Sequence, residues 1–303
     1  MQEKIVVVGS SNTDMVLKTS RFPFPGETIL GGEFFIFQGG KGANQAVAAA
    51  RLGGQVHFIC KVGNDSFGQS AREHYLNEGI AIEGISQSAH LPTGIAVITV
   101  NAAGENSIIV ASGANAQLDV EDLVNQEQIL RDSSWIITQL ESPLPVVSYL
   151  ASYAHQQSKR LILNPAPAQT LPPEIYKDLF LITPNESETK QLTGVEVVDE
   201  ASAKVACAVL KNYGVKHVII TLGSKGAFLS CNEFEGLIPA PLVTAVDTTA
   251  AGDIFNGALV VGLSENMDWP SAVVFACRAA ALSVTRMGAQ TSAPTREEIS
   301  DTI

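Results

Sequence analysis

The stretch Val246-Asp-Thr-Thr-Ala-Ala-Gly-Asp253 follows a β-like segment and runs directly into the apolar helical pattern Asp253–Gly262. It therefore reads as a strand-to-helix turn of an α/β protein. It gathers two carboxylates, two hydroxyls and a small-residue turn at one helix start. The first N–H groups of a helix lack intrahelical partners and carry partial positive charge, which suits a phosphate or a developing oxyanion. Gly252 lets a ligand approach the backbone, and Asp253 stands where it can accept a proton from an attacking hydroxyl. The same residues also read as a plain helix start, with Asp247 and Asp253 as caps.

Outward from this turn, buried-strand patterns alternate with helical ones. Ile5–Val8, Val56–Val62, Trp135–Thr138, Arg160–Leu163, Leu179–Thr183 and His217–Thr221 read as core strands. Helical patterns cover Ala43–Leu52, Gly68–Asn77, Val120–Leu130, Pro145–Gln156, Glu186–Leu192 and Ala201–Asn212, and later Trp269–Thr285. Such alternation predicts a mostly parallel sheet covered on both faces. Residues 12–38 and 93–112 break it with hairpin-like strands and no helix. They predict a small β lid beside the sheet or, alternatively, an extension of the sheet edge. Without repeats, linkers or low-complexity stretches, residues 1–303 read as one domain.

Composition narrows the class. Hydrophobic residues make up 46% and charged residues 17% of 303, enough for a large core. The 19 basic and 31 acidic residues leave a net charge of −12, which disfavours nucleic acid and anionic membranes as partners. Any anion site must be built locally. Cys60, Cys207, Cys231 and Cys277 are far apart in apolar surroundings and read as free thiols of a reducing, cytoplasmic compartment. The segment Met1–Val8 is too brief for a signal peptide and reads as a first strand. No apolar stretch reaches membrane-spanning length. The five histidines lack ligand spacing, so a zinc site or a histidine-based triad is not expected.

Further motifs stand where α/β sheets place ligands, beyond strand ends. Gln38-Gly-Gly-Lys-Gly-Ala-Asn-Gln45 enters an Ala-rich helix, with Gly39, Gly40 and Gly42 permitting close backbone approach and Lys41, Asn44 and Gln45 adding donors. It matches neither a P-loop nor a dinucleotide fingerprint. It suits a polyhydroxyl ligand, or serves packing alone. Asn12 and Asp14, two apart in an extended segment, project to one side and can grip neighbouring hydroxyls; the alternative is an Asx-rich turn. Glu141, after Trp135–Leu140, offers an unpaired carboxylate. Asn185-Glu-Ser-Glu188 reads as a capping box or as a place for Glu188 near a magnesium–nucleotide complex. Thr221-Leu-Gly-Ser-Lys-Gly226 is a glycine-bearing loop suited to nucleotide contacts.

Taken in this order, Gly9-Ser-x-Asn-x-Asp14, Gly39-Gly-Lys-Gly-Ala-Asn-Gln-Ala46, Asn185-x-x-Glu188, Thr221-Leu-Gly and Asp247-Thr-Thr-Ala-Ala-Gly-Asp253 resemble the ribokinase-like carbohydrate kinase family over essentially the whole chain. The resemblance implies a doubly wound α/β fold with a β lid, paired with a second lid in a homodimer. It implies transfer of the γ-phosphoryl of ATP to O5 of D-ribose, with Asp253 as base and an anion hole at Ala250, Ala251, Gly252 and Asp253. Asn12, Asp14, Gly40, Lys41, Gly42, Ala43, Asn44 and Glu141 would hold the sugar. Asn185, Thr221, Leu222, Gly223, Ser224, Lys225, Gly226, Gly252 and Cys277 would lie along the nucleotide. Mg²⁺ would accompany ATP, with Glu188 acting on it through water. A K⁺ site would fall at Asp247, Thr249, Ser283, Arg286, Gly288 and Ser292, with Arg286 and Gly288 serving through carbonyls. Rival readings are a kinase for another sugar or nucleoside, and a sugar sensor that has lost catalysis; the intact Asp253 turn argues against the sensor.

Overall fold

The computed structural model describes residues 3–301, so Met1, Gln2, Thr302 and Ile303 of the expected 1–303 domain lie outside the described residues. The chain is built on a nine-stranded sheet in the spatial order β13-β12-β11-β10-β9-β8-β1-β4-β5. Its strands are β1 (Ile5–Val8), β4 (Val56–Gly63), β5 (Ile85–Ser88), β8 (Trp135–Thr138), β9 (Arg160–Leu163), β10 (Leu181–Ile182), β11 (His217–Thr221), β12 (Ala227–Ser230) and β13 (Glu235–Ile238). Every pairing from β5 to β11 is parallel, and β12 and β13 complete the edge antiparallel. The chain moves outward from β1 to β4 and β5, then returns to β8 on the other side of β1 and continues to β11. That reversal opens a crevice beyond the strands' C-terminal ends.

β1 shows why the sheet is covered twice. All four of its residues are β-branched and fully buried. Ile5 and Val7 enter one core, Val6 and Val8 the other, as the two-residue period of a strand requires. The helices divide accordingly. α1 (Lys41–Arg51), α2 (Ser66–Asn77), α9 (Ala251–Ser264) and α10 (Trp269–Ser283) supply the first core, and α11 (Arg296–Asp301) adds Ile299. α3 (Val120–Asn125), α4 (Glu127–Asp132), α5 (Leu144–Gln156), α6 (Pro173–Lys177) and α8 (Glu200–Asn212) supply the second, with α7 (Glu186–Thr193) contributing Leu192 at its margin. No helix of the described residues is long and apolar enough to cross a membrane.

The two irregular segments form a separate four-stranded sheet, not an edge of the large one. It has the order β3-β2-β6-β7, with β2 (Asn12–Lys18), β3 (Glu33–Gly39), β6 (Gly94–Val100) and β7 (Asn106–Ala111). Each excursion is an antiparallel pair, and a parallel β2–β6 pairing joins them.

Two expected elements differ in detail. The helix expected over Val120–Leu130 is two helices, because Gln126 leaves helical geometry (φ −108°, ψ 21°) and donates its N–H to Leu123, three residues back. The strand expected over Leu179–Thr183 narrows to Leu181–Ile182, although Phe180 and Thr183 still donate to β9 carbonyls. Pro184, which has no N–H, stands directly beyond.

Candidate active site

Two helices begin at the crevice, and their first turns differ. α1 starts after Gly40, whose φ of 92° places it where only glycine is relaxed. A Cβ on Gly40 would stand 2.8 Å from the Asn12 nitrogen and 2.9 Å from the Ser10 carbonyl oxygen. The glycine run therefore lies directly on the turn that follows β1. The first N–H groups of α1 are already occupied: Lys41 donates to Glu141 (3.1 Å), Gly42 to the Ser10 hydroxyl (3.4 Å) and Ala43 to the Ser10 carbonyl (2.9 Å).

α9 is open. Its N-cap is Ala250, in the left-handed conformation (φ 59°), and no side chain caps it. This sets aside the reading of Asp247 and Asp253 as caps. A non-glycine residue there carries strain, which clusters at functional turns. Gly252 is exposed, and a Cβ added to it would meet nothing within 4 Å. The Ala251 N–H donates to the Thr248 carbonyl at 3.3 Å, while the N–H groups of Gly252 and Asp253 have no partner among the described residues and remain for an anion.

Asp253, in that first turn, is only 4% exposed. Its carboxylate accepts from Asn44 Nδ2 at 2.9 Å and Gln45 Nε2 at 3.1 Å. Burial raises its pKa, opposed by the Lys41 charge and by these two donors. Asp14 and Glu141 complete a cluster of three carboxylates with it, and Lys41 stands beside Asp253 and Glu141. The Lys41 ammonium is raised by Asp253, against burial, with Glu141 and Glu188 adding to it. Asp14 is pushed up to about 6 by burial and then by Glu141 and Asp253. Glu141 is not unpaired as expected, since one of its oxygens accepts both the Ser10 hydroxyl and the Lys41 N–H. Asn12 has its Oδ1 held by Asn115 Nδ2 at 2.8 Å, leaving its amide donor for a ligand.

A cavity of about 550 Å³ leads away from Asp253 and Lys41, past Gly252 and Ala251. Asn185, Glu188, Thr221, Gly223, Ser224 and Gly226 line it, with Val243, Cys277 and Val284 giving an apolar wall. Asn185 and Glu188 do form the capping box, each side chain bonded to the other's N–H at 2.8 Å. Only Oε2 of Glu188 is used there, and burial raises its pKa. The Cys277 thiol is pushed up to about 12 by burial, so it is a neutral wall.

Four expected contacts fall elsewhere. Gly42 and Ala43 are buried, with their N–H groups taken by Ser10, and act in packing. Leu222 turns into the second core, and Lys225 is exposed and off the cavity wall. Beside the C-terminal end of α10, where its N–H donates to the Val284 carbonyl, Asp247 accepts from Thr249 N (2.9 Å), Thr249 Oγ1 (2.6 Å) and Gly288 N (2.9 Å). Burial pushes this carboxyl up, but those bonds outweigh it and hold it below the usual range. Arg286 pairs with Glu298 and so turns its guanidinium to another carboxylate. Ser283 and Ser292 are buried, their hydroxyls donating to Ala280 and Ala289.

Site residues absent from the sequence expectation are Ser10, Gln139, Asn164, Thr183 and Asn256, all buried and polar. Gln139, Asn164 and Thr183 each follow immediately after a strand, and that position was the available signal.

An open helix start beside a buried carboxylate, with a cavity beyond, defines a phosphoryl-transfer class of site. The chain belongs to the pfkB family of carbohydrate kinases, whose family model matches residues 2–296. Among its relatives, the ribokinase of Haemophilus influenzae is 45% identical over 298 residues, 98% of this chain and 97% of that protein. The ribokinase structure from Thermotoga maritima superposes with a TM-score of 0.90 at 41% identity, covering 99% of this chain and 98% of that one. The Arabidopsis thaliana ribokinase, solved with ribose and ATP, gives a TM-score of 0.91 at 32% identity, again covering 99% and 98%.

Proposed function

We propose that this chain transfers the γ-phosphoryl of ATP to O5 of D-ribose, yielding D-ribose 5-phosphate. The observation that carries the reading is the uncapped first turn of α9 set against buried Asp253 at the head of the cavity. Asn12, Asp14, Gly40, Lys41, Asn44 and Glu141 hold the sugar beneath the small sheet, which acts as a lid on one kinase domain. The buried Oδ1 of Asn44 has no partner among the described residues, so it suits a sugar hydroxyl. Asp253 then accepts the proton of the attacking hydroxyl, while the N–H groups of residues 250–253 hold the transferring phosphoryl group. Lys41, beside Asp253, offsets charge in the cluster. Lid closure excludes water, which would otherwise hydrolyse ATP.

Among the described residues no group of three His, Cys, Asp or Glu side chains could hold a metal. Mg²⁺ would be carried chiefly by phosphates and water. It would supply charge neutralisation at the phosphates, and Glu188 would hold it through water. For K⁺, the set of Asp247, Thr249, Ser283, Ser292 and the carbonyls of Arg286 and Gly288 is all oxygen, the donor type a hard alkali ion takes. An ion held there by these oxygens would brace the turn that carries the anion hole. Buried free thiols suit a cytoplasmic setting.

The test is ADP release from Mg·ATP with D-ribose, fructose, adenosine or no sugar, each in K⁺ and Na⁺ salts. Ribose-dependent turnover, faster in K⁺, is expected. Turnover with another acceptor changes the substrate, and sugar binding without turnover favours a sensor. Equal rates in the two salts remove the K⁺ site.

A further inference from the structure

Asp253 is one end of a closed hydrogen-bond circuit. Gln45 Nε2 donates both to Asp253 (3.1 Å) and to Asn164 Oδ1 (3.1 Å). Asn164 Nδ2 donates to the Thr183 carbonyl at 3.3 Å, and the Thr183 hydroxyl donates to Asn256 Oδ1 at 2.7 Å. Asn256 Nδ2 closes the circuit on the carbonyl of Gly252, the neighbour of Asp253, at 2.8 Å. Gln139 Nε2 donates to Gln45 Oε1 at 2.6 Å, so both hydrogens and the oxygen of the Gln45 amide are committed. Gln45 and Gln139 are fully buried, and Asn164, Thr183 and Asn256 nearly so.

The direction of these bonds is not interchangeable. An amide presents donors on one side and an acceptor on the other. Turning Gln45 over would aim its oxygen at the Asp253 carboxylate and its donors at the Gln139 donor. Gln139 therefore locks the face that Gln45 shows to Asp253. The Gln45 amide is satisfied at both hydrogens and its oxygen, which fixes its orientation, while Gln139 Oε1 has no partner among the described residues.

Resting on the kinase reading above, we infer that Gln45, locked by Gln139, is the positioning residue of the base: it aims the Asp253 carboxylate and favours its ionised form, while the circuit through Asn164, Thr183 and Asn256 keeps the adjoining Gly252 in register. The groups facing Asp253 are Lys41 on α1, Asp14 on β2, Glu141 after β8 and Glu188 on α7. Lys41 favours the carboxylate and the three acids oppose it. Gln45 and Asn44 are the partners whose donors can be removed without altering any charge, and because Asn44 is assigned to the sugar, Gln45 is the one that reports on the base alone.

Gln45→Met keeps the length of the side chain and removes the donor. The pH profile of kcat is measured with Mg·ATP and D-ribose, together with the Asp253 carboxyl signal in ¹³C-labelled protein, assigned with Asp253→Asn. Loss of one charge-assisted donor moves the acid limb upward by about one to two pH units, so kcat below the limb falls about ten- to hundredfold. Sugar KM stays within about twofold, and the carboxyl signal titrates higher by the same interval. A folded Gln45→Met protein with an unmoved limb and unmoved carboxyl titration overturns the inference, as does a rise in KM alone. If that variant does not fold, Gln139→Met, which frees Gln45 to turn, must move both readouts in the same direction. An unmoved titration there also overturns it. A parent protein with no sugar-dependent ADP release sinks the kinase reading, and the carboxyl titration still decides the role of Gln45.

Discussion

Asp253, buried, and Asp14, half-buried, are carboxyls of one cluster to which different tasks are assigned. Asp253 is aimed by Asn44 and Gln45 at the mouth of the open helix start. Replacing it with Ala is expected to lower kcat about 10²- to 10⁴-fold, the usual worth of a general base, while calorimetry still finds sugar binding. A nearly unchanged kcat would remove Asp253 from the chemistry. Asp14 accepts most strongly when ionised, and burial beside Glu141 and Asp253 lifts it to about 6. The sign follows from linkage. The folded chain binds this proton more tightly than the unfolded one, so Asp14 costs stability as pH rises from its ordinary range through about 6. A sugar hydroxyl bonded to the carboxylate favours deprotonation. Sugar KM is therefore expected to rise below pH 6, by up to about tenfold per unit, and Asp14→Asn to flatten that rise while raising KM throughout. A pH-independent sugar KM in the parent would rule out this role.

At the scale of elements, the two helix starts make opposite predictions for the same glycine-to-alanine change. At Gly40 the positive φ and the backbone of Ser10 and Asn12 exclude a methyl group. Gly40→Ala is expected to cost about 1–3 kcal/mol, seen as a lower Tm, and to raise sugar KM by displacing Asn12. At Gly252 a methyl group meets no protein atom, so Gly252→Ala should melt at or slightly above the parent Tm. Its kcat should nevertheless collapse, because the methyl group occupies the anion's space. Equal losses of stability in the two variants would contradict this division. The contrast also shows what was legible in the sequence. Strand and helix alternation was readable because β-branched runs such as Ile5–Val8 serve two cores, and the glycine spacings were readable because few other residues fit. Which glycine turn stays open was not readable. That depends on Ser10 and Glu141, which reach α1 from remote parts of the chain and close its first turn. The circuit behind Asp253 was hidden for the same reason: Gln45 and Asn164 lie 119 positions apart. Singly, each reads as an ordinary polar residue near a strand or helix end.

At the scale of the whole molecule, the small sheet is held at its base and exposed along its length. Asp65, which caps α2, accepts from both the N–H and the hydroxyl of Thr93 at the foot of β6. Asn115 ties the other foot by bonding Ser11 and Asn12. Beyond these ties β7 is exposed throughout, with Ile109 71% and Ile108 52% accessible, and on the opposite edge strand Phe34 is 58% accessible. A sheet with large apolar residues on both edge strands invites a covering partner. A second copy of the same sheet would meet that need through a two-fold contact, giving the homodimer that the family resemblance implies. Light scattering is expected to give twice the 32.0 kDa chain mass. Ile109→Asp, which places a charge in that contact, is expected to yield monomers. Because Asn12 and Asp14 sit on β2 of the same sheet, the monomer should also bind sugar more weakly while its Asp253 chemistry stays intact. KM for sugar would then rise with kcat at saturation little changed. A parent that is monomeric at assay concentration, or an Ile109→Asp variant that remains dimeric, would place the partner surface elsewhere and leave the sheet to close as a lone lid.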